Sequence, residues 1–318
     1  MPPPSGGVSD LHDDELPIDA DLVRRLLRAS FPEVADRPLR SLDASGSTNA
    51  LYRLGDDLLV RLPRQPGGSE SIDKEARWLP FVGPHLSVPV PKVLGVGAPD
   101  HGYPERWALT RWLDGRTPTV PWDPVDGSSA PLAADLVRTV RELRAIPVPD
   151  GAADDPGLQW YRGGPLADLD EEFREALLAC RDIPDVDLDL DRADEVWANA
   201  LAAETDTPGS PAAGWYHGDL FAENLLVRDG RLSAVLDAGG LAVGDPTIDL
   251  VAGFEVLDPE GLRAYRDALD VTDAEWARAR GWALFVAIIT YPYYWRTMPT
   301  RCAHRQVMAM AAIGDVGD

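Results

Sequence analysis

The spacing of hydrophobic residues predicts mainly strands up to residue 113 and mainly helices from Pro131 onward. The first pattern is helical: residues 18–34 carry apolar side chains that share one helical face, namely Leu22, Val23, Leu26 and Leu27. Asp19 or Asp21 is suited to cap the start of this helix, because a short acidic side chain can accept a backbone N–H there. A second helix is predicted over about 70–82.

Short runs with strand character surround that second helix. They read RPLRSLD, NALYRL, DLLVRLP, PKVLGVG and RWALTRWL. Gly55-Asp56-Asp57 separates the second run from the third and is typical of a hairpin turn. Residues 18–113 are therefore predicted to form a small, mostly antiparallel sheet with a packed helix. Residues 1–17 are expected to be a disordered leader, since they have few apolar residues and many Pro, Gly and Asp.

From Pro131 onward the hydrophobic period becomes helical, as in PLAADLVRTVRELRAI and DRADEVWANALAAE. Two short strands, ENLLV and LSAVLD, interrupt the helices around the turn Arg228-Asp229-Gly230. A helix break is expected at Pro292. The predicted fold class is α+β, with a sheet-rich lobe over 18–113, a linker near 113–118 and a helical lobe within 114–318.

The charge and residue content exclude several classes of protein. A formal net charge of −23 disfavours nucleic-acid binding, which needs clustered Arg and Lys. It either attracts a cationic ligand or serves solubility, and the sequence leaves both interpretations open. Two cysteines and no long apolar run predict a cytoplasmic protein without disulfides or a membrane span. Neither lysine, Lys74 or Lys92, follows the glycine-rich pattern of a P-loop.

Candidate chemistry lies in WYHGDLFAENLLV, residues 215–227. Asp219 and Asn224 precede the strand ENLLV, and Asp237 ends the next strand. A hairpin between these strands brings two carboxylates and one amide together, which suits Mg²⁺ and phosphoryl transfer. The alternative is that these are ordinary turn and cap residues. The register of all three residues around two strands favours a site.

The pattern His217-x-Asp219-x-x-x-x-Asn224, followed by Asp237-x-Gly239, resembles the signature of protein-kinase-like phosphotransferases. With Gly244-Asp245-Pro246 and Asp249-Leu250 downstream, it resembles the aminoglycoside phosphotransferase family in particular. The resemblance implies a bilobal protein-kinase-like fold and nucleotide binding by the sheet-rich lobe. It also implies a Mg²⁺-dependent transfer of the γ-phosphate of ATP or GTP to an alcohol.

Several roles follow from this resemblance. Asp219 is the expected catalytic residue, which accepts or orients the proton of the acceptor hydroxyl. Asn224 and Asp237 are the expected metal ligands. His217 is expected to support the loop, and Asp245 and Asp249 to accept hydrogen bonds from the backbone around it.

The resemblance also implies nucleotide-binding residues in the first lobe. Arg61 occupies the position of a phosphate-binding lysine, and Glu75 is its expected partner. A solvated strand residue is the alternative for Arg61. The loop with Ser45 and Ser47 is expected to cover the phosphates, and the backbone between Arg111 and Leu113 to bind the adenine.

The expected function is therefore phosphorylation of a small hydroxyl-bearing molecule, which is cationic if the net charge serves to attract the ligand. An antibiotic is the first choice of acceptor, with an aminoglycoside before a macrolide or nucleoside-type compound. The alternatives are a metabolic kinase for choline, homoserine or a sugar amine, and a kinase-like binding module without activity. Phe221-Ala222-Glu223 departs from the usual His-Pro-Gly and puts aminoglycoside specificity in question.

Two segments remain as candidates for acceptor contacts. The acid-rich residues 183–195 lack the glycine and the closing glutamate of an EF-hand, so they form either an acidic flap or a solvated loop. The aromatic residues that follow Trp282 and Phe285, namely Tyr291, Tyr293, Tyr294 and Trp295, either line a pocket or belong to the core.

Overall fold

The computed structural model describes residues 14–42, 48–123, 125, 127–184, 186–205 and 213–314. These residues form two compact units. The first contains the described residues up to Phe81 together with Pro91–Leu113, and the second contains Val82–Val90 and the described residues from Asp114 onward. The sequence pattern had grouped 82–90 with the first part. Within the described ranges, no helix combines the length and the apolar character needed to cross a lipid bilayer.

The first unit is built on a five-stranded antiparallel sheet in the order β1-β2-β3-β5-β4. Its strands are β1 (Leu39–Ser41), β2 (Asn49–Leu54), β3 (Leu58–Pro63), β4 (Val93–Gly97) and β5 (Trp107–Arg111). Each strand lies within one of the five predicted runs, which confirms the antiparallel sheet. The turn between β2 and β3 begins at Gly55, whose φ of +62° is favourable for glycine.

The first unit contains the helix α1 (Ala20–Ser30) and all but the last residue of α2 (Ser69–Val82). The Asp19 carboxylate caps α1 by accepting the Leu22 N–H at 2.7 Å. The apolar stripe of α1 is fully buried in one cluster with alternate residues of β2 and β3. The helical spacing seen in the sequence thus corresponds to the face that covers the sheet.

The described end of the predicted leader is packed against this unit. The Leu16 N–H donates to the Arg64 carbonyl at 2.6 Å, and the Leu16 side chain contacts the apolar cluster of α1 and the sheet. Glu15 lies 3.4 Å from the guanidinium of Arg64. Residues 14–17 are therefore held in place, and residues 1–13 lie outside the described ranges.

The second unit is mainly helical, as predicted. Its helices are α3 (Ala130–Ala145), α4 (Asp170–Cys180), α5 (Leu190–Thr205), α6 (Val251–Val256), α7 (Pro259–Leu269), α8 (Asp273–Tyr294) and α9 (Pro299–Ile313). Helix α8 is central and packs against α4, α5 and α9. Stacked rings of Phe173 and Trp197, with centroids 4.2 Å apart, fill the core beside Phe285.

Four short strands lie among these helices as two antiparallel pairs. They are β6 (Gly214–Tyr216) with β9 (Ala242–Gly244), and β7 (Leu225–Arg228) with β8 (Arg231–Val235). The β7–β8 hairpin was predicted, and its turn residues Asp229 and Gly230 have φ values of +51° and +71°. Strands β6 and β9 were not predicted.

The predicted helix break at Pro292 is wrong, since α8 continues to Tyr294. Proline cannot donate to the carbonyl four residues earlier, which is that of Ile288. The Cys180 thiol of α4 lies 3.6 Å from the Ile288 oxygen and donates to it instead. A contact from a neighbouring helix therefore keeps the carbonyl hydrogen-bonded and allows α8 to continue.

Candidate active site

The loop between β6 and β7, residues 217–224, begins at a buried anchor. The backbone N–H groups of His217 and Gly218 donate to the two carboxylate oxygens of Asp249, each at 2.7 Å. Asp249 is only 1% exposed. Burial raises the pKa of the Asp249 carboxyl, while His217 and the two N–H groups oppose the rise. As the resemblance implied, Asp249 holds the backbone of the 217–224 loop.

The His217 ring bridges the 217–224 loop and the end of β8. Its Nε2 lies 3.0 Å from the Leu236 carbonyl, and its Nδ1 accepts the Asp219 backbone N–H at 3.3 Å. With these partners, Nε2 donates to the Leu236 carbonyl while Nδ1 accepts. The ring is buried, so His217 supports the loop, which is the role expected for it.

Asp219 and Asn224 are in direct contact. The Asn224 amide Nδ2 donates to Oδ2 of Asp219 at 2.8 Å and to the Asp219 carbonyl at 2.9 Å. Asn224 is 8% exposed, whereas the Asp219 side chain keeps 29% of its surface exposed. The carboxylate is thus oriented from the protein side and still open to a ligand.

Asp237 lies at the same end of the β7–β8 hairpin. The Leu236 N–H donates to the Asn224 carbonyl at 2.7 Å, so Asp237 directly follows the residue that pairs with Asn224. Asp237 has a left-handed φ of +54°, and its carboxylate accepts the Gly239 N–H at 3.3 Å. The hairpin therefore places Asp237 at the same end as Asn224, which bonds Asp219; that the three side chains act as one site stays a prediction.

The donors at this hairpin end suit a magnesium ion. Asn224 turns its nitrogen toward Asp219, which directs its carbonyl oxygen away from that carboxylate. Amide and carboxylate oxygens are the hard ligands that Mg²⁺ prefers, together with water and phosphate. The chemistry of Asn224 and Asp237 is therefore compatible with the metal that the resemblance implies.

Arg162 is a second partner of Asp219 that the sequence did not indicate. It precedes Gly163 in the connection between α3 and α4. Its Nη1 donates to Oδ1 of Asp219 and lies 3.3 Å from the Gly218 carbonyl. The Arg162 side chain is 14% exposed. Burial alone would lower the pKa of Arg162, but Asp219 and Tyr161 raise it above its ordinary value.

Trp160 lies against the backbone of two glycines near this site. A Cβ atom at Gly218 would come within 2.6 Å of Trp160 Cζ3, and one at Gly240 within 2.5 Å. Glycine is therefore required at both positions for the indole to fit. The ring thereby contacts both the 217–224 loop and the turn that follows Asp237.

The far end of the 217–224 loop is attached to a buried charge cluster. The Ala222 N–H donates to the Glu255 carboxylate at 2.7 Å. Arg305 of α9 donates to Glu255 and, at 2.6 Å, to Glu223. Glu223, Glu255 and His304 place ligand atoms within 4.8 Å of one another. Because Arg305 already bonds both carboxylates, its guanidinium supplies the positive charge there.

In the first unit, Arg61 and Glu75 form a buried ion pair. Nη1 of Arg61 lies 2.5 Å from Oε2 of Glu75, with side-chain exposures of 6% and 0%. Arg61 is therefore not a solvated strand residue, and that alternative is wrong. A role of the pair in nucleotide binding remains a prediction.

The other predicted nucleotide-binding residues that the structure describes are Arg111 and Leu113. The Arg111 N–H donates to the Lys92 carbonyl at 3.1 Å, and its guanidinium pairs with Asp57 at 2.5 Å. The next N–H, of Trp112, donates to the Asp57 carbonyl. Of the three backbone N–H groups in residues 111–113, that of Leu113 has no acceptor in the part of the chain that the structure describes. Ser45 and Ser47 lie outside the described residues.

The candidate acceptor segments are largely structural. Asp189 caps α5 by accepting the Arg192 N–H at 2.9 Å, and Asp191 pairs with Arg181 at 2.6 Å. Asp185 is outside the described residues. Tyr291 is fully buried in the core, whereas Tyr293 is 65% exposed.

Comparison with known proteins gives consistent results. The model of a phosphotransferase enzyme family, APH, matches residues 40–282. An aminoglycoside 3'-phosphotransferase of Escherichia coli is 27% identical over 217 residues, which cover 66% of this chain and 73% of the relative.

Two solved structures have a similar fold. The GDP and kanamycin complex of APH(2")-IIia has a TM-score of 0.64 at 20% identity, covering 92% of this chain and 96% of its own. Macrolide 2'-phosphotransferase MphH of Brachybacterium faecium, an apoenzyme, has a TM-score of 0.59 at 24% identity, covering 92% and 97%. The kinase-like α+β fold class is thereby confirmed.

Proposed function

Because the chain belongs to the phosphotransferase enzyme family, we propose that it moves the γ-phosphoryl group of ATP or GTP to a hydroxyl of an antibiotic. The chain is a small-molecule phosphotransferase that acts on hydroxyl groups. The donor, the metal and the acceptor are the parts of the reaction that the proposal adds.

The arrangement of Asp219 is the observation that carries this proposal. Its carboxylate is bonded on one oxygen by Arg162 and on the other by Asn224, yet 29% of the side chain remains exposed. A carboxylate oxygen has two acceptor positions, so each oxygen can still accept a hydroxyl proton. The fixed, partly open carboxylate suits a general base.

The reaction follows from this arrangement. The acceptor hydroxyl donates its proton to Asp219 while its oxygen forms a bond to the γ-phosphorus. The bond from that phosphorus to the bridging oxygen breaks, and a nucleoside diphosphate leaves with the electron pair. The loop holds Asp219 in place through Asp249 and His217, so little reorganisation is needed at the moment of transfer.

Asn224 and Asp237 would hold magnesium, which neutralises negative charge on the nucleotide phosphates when it is bound. The Arg61 guanidinium, oriented by Glu75, would bind phosphate oxygens bidentately. The Leu113 N–H would donate to the base.

An aminoglycoside is the first choice of acceptor and a macrolide the second. The names of the relatives support this order, together with a net charge of −23 that attracts cationic compounds. Phosphorylation of such a compound would confer resistance to it. Both cysteines are buried free thiols, which suits a reaction in the cytoplasm.

The test is a transfer assay with purified protein, Mg-ATP and Mg-GTP. The acceptor panel contains kanamycin, gentamicin, streptomycin, a macrolide, choline, homoserine and an amino sugar. We expect nucleoside diphosphate release that depends on an antibiotic, with a product 80 Da heavier, about the mass added by one phosphoryl group. Removal of magnesium with a chelator should abolish the product. Transfer to a metabolite alone, or to no acceptor, would contradict the proposal.

A further inference from the structure

Arg162 bonds Asp219 but has no role of its own in the reaction outlined above. Resting on that proposed function, we infer that Arg162 is a positioning residue, which fixes the orientation of the Asp219 carboxylate for proton transfer. It acts through Asp219, and the geometry of three neighbouring features supports it.

The first feature is the division of the carboxylate between two partners. Arg162 bonds Oδ1 of Asp219, whereas Asn224 bonds Oδ2. With both oxygens held, rotation about the last side-chain bond of Asp219 would break two hydrogen bonds. Without Arg162, Asn224 would be the one remaining side chain among the described residues that bonds the Asp219 carboxylate, and Asn224 is itself an expected metal ligand.

The second feature is the packing of the guanidinium. Its Cζ lies 4.7, 5.5 and 5.4 Å from the ring centroids of Trp160, Tyr161 and Phe221. Its Nε donates to the Tyr161 hydroxyl at 2.9 Å. Aromatic rings on several sides restrict the arginine to one orientation and stabilise its charge.

The third feature is the backbone that carries Arg162. Its carbonyl accepts the hydroxyl of Tyr216 in β6. The next carbonyl, of Gly163, accepts the Asp245 N–H at 2.8 Å. Gly163 has a φ of +86°, and a Cβ atom there would lie 2.5 Å from Cζ of Tyr216. The segment is thus fixed against the strand that leads into the 217–224 loop.

An exposed ion pair elsewhere in the same unit provides the contrast. Arg181 and Asp191 are 2.6 Å apart, but their side chains are 46% and 83% exposed. Such surface pairs restrain geometry weakly. The pair of Arg162 and Asp219 is more buried and better restrained, which is what positioning of a reacting group requires.

The experiment compares Arg162→Gln and Arg162→Lys with the control Arg181→Gln, which removes a carboxylate-paired arginine outside the site. The acceptor is the panel compound that the wild-type enzyme phosphorylates fastest. We expect Arg162→Gln to lower kcat about 10- to 100-fold, in line with losses of groups that orient a reacting residue. The KM for nucleotide and acceptor should change less than about 3-fold, since binding groups are untouched.

Arg162→Lys keeps the charge and should recover part of the lost kcat, and Arg181→Gln should match the wild type. The inference is overturned if Arg162→Gln keeps kcat within about 3-fold, if the loss appears in KM, or if lysine recovers nothing. Thermal unfolding checks each variant. If Arg162→Gln is unfolded, Arg162→Lys decides alone: unchanged kcat overturns the inference, and a lower kcat at constant KM supports it.

These outcomes are distinct from failure of the proposed function. If wild-type protein phosphorylates no compound of the panel, the proposed function fails. If it is active and Arg162→Gln is equally active, only the role of Arg162 fails.

Discussion

The two ends of the 217–224 loop use the same residue types for different purposes. At the Asp219 end, one carboxylate meets one arginine, Arg162, and keeps an exposed surface. At the Glu223 end, Glu223 and Glu255 share Arg305, which is 4% exposed, and Glu255 is fully buried. Both arginines lie over the ring of Phe221, with Cζ at 5.4 and 4.0 Å from its centroid.

Burial separates Glu255 from Asp219, whereas the Glu223 side chain, at 30% exposed, is as open as that of Asp219 and differs from it in having two arginine partners. A buried carboxylate that accepts a backbone N–H and an arginine holds the chain, as Glu255 does for Ala222. A partly open carboxylate with unused acceptor capacity is suited to chemistry. Substitutions at the Asp219 end should therefore affect turnover, and those at the Glu223 end should affect stability.

The largest effect is expected for Asp237→Asn. Asp237 is a proposed metal ligand and is grouped here with the Asp219 end of the loop. Turnover should fall on the order of 10³- to 10⁴-fold, because a bound metal supplies several kcal/mol of transition-state stabilisation. Steady-state kinetics across a magnesium titration measure this, and the unfolding free energy should stay within about 1 kcal/mol. Asp229→Asn, in the turn of the same hairpin, is the matched control. Equal turnover of both variants would contradict the metal assignment.

Arg305→Met tests the opposite end. Removal of the guanidinium leaves the buried carboxylate of Glu255 without its arginine and beside Glu223, so the unfolding free energy should fall by about 3–5 kcal/mol. Denaturant unfolding measures the loss. A loss below about 1 kcal/mol, with a large loss of turnover instead, would show that the two ends do not differ in the way described.

The pH dependence of the unfolding free energy tests the role of Glu255 in this comparison. Burial raises the pKa of Glu255 from 4.5 to about 7; Arg305 opposes this and Glu223 adds to it. The folded state thus binds the proton more tightly than the unfolded chain. The resulting stabilisation is complete below about pH 4.5 and is lost as the pH rises through 7.

Glu255→Gln, which resembles the protonated form, is the reference for this effect. The unfolding free energy of the wild type relative to this variant should fall by about 2–3 kcal/mol between pH 5 and pH 8. Denaturant titrations at several pH values measure the difference. A difference that is constant with pH, or that rises, would contradict the raised pKa.

The smallest effect is expected for Arg301→Gln. Arg301 is 16% exposed, and its Nε lies 3.6 Å from Glu223, which also has Arg305 as a partner. We expect a loss of less than about 1 kcal/mol, because such a pair is partly solvated and not essential for neutralising the glutamate. The same denaturant titration measures this loss. If it is as large as that of Arg305→Met, the buried position of Arg305 does not explain the stability that Arg305 provides.

Local patterns were enough to predict much of the fold and the centre of the site. The apolar stripe of α1, the strands of the sheet and the β7–β8 hairpin each depend on neighbouring residues. The contact of Asn224 with Asp219 and the position of Asp237 at the same hairpin end agree with the spacing in the sequence, while their joint role stays a prediction.

Contacts between distant segments were not predictable in this way. Arg162 is 57 positions from Asp219, and Arg305 is 82 positions from Glu223. Neither arginine stands in a motif. The same holds for the Cys180 thiol, 108 positions from the Ile288 carbonyl that it satisfies. An arginine in a loop has many possible partners, and only the tertiary structure selects one.

The central claim is that Asp219 accepts the proton of the acceptor hydroxyl, and single-turnover transfer by Asp219→Asn tests it most directly. Enzyme saturated with magnesium and nucleotide is mixed with the acceptor, and phosphorylated product is followed by mass. We expect transfer to be about 10²- to 10⁴-fold slower than in the wild type, with nucleotide affinity within about 3-fold. Transfer at the wild-type rate would contradict the claim.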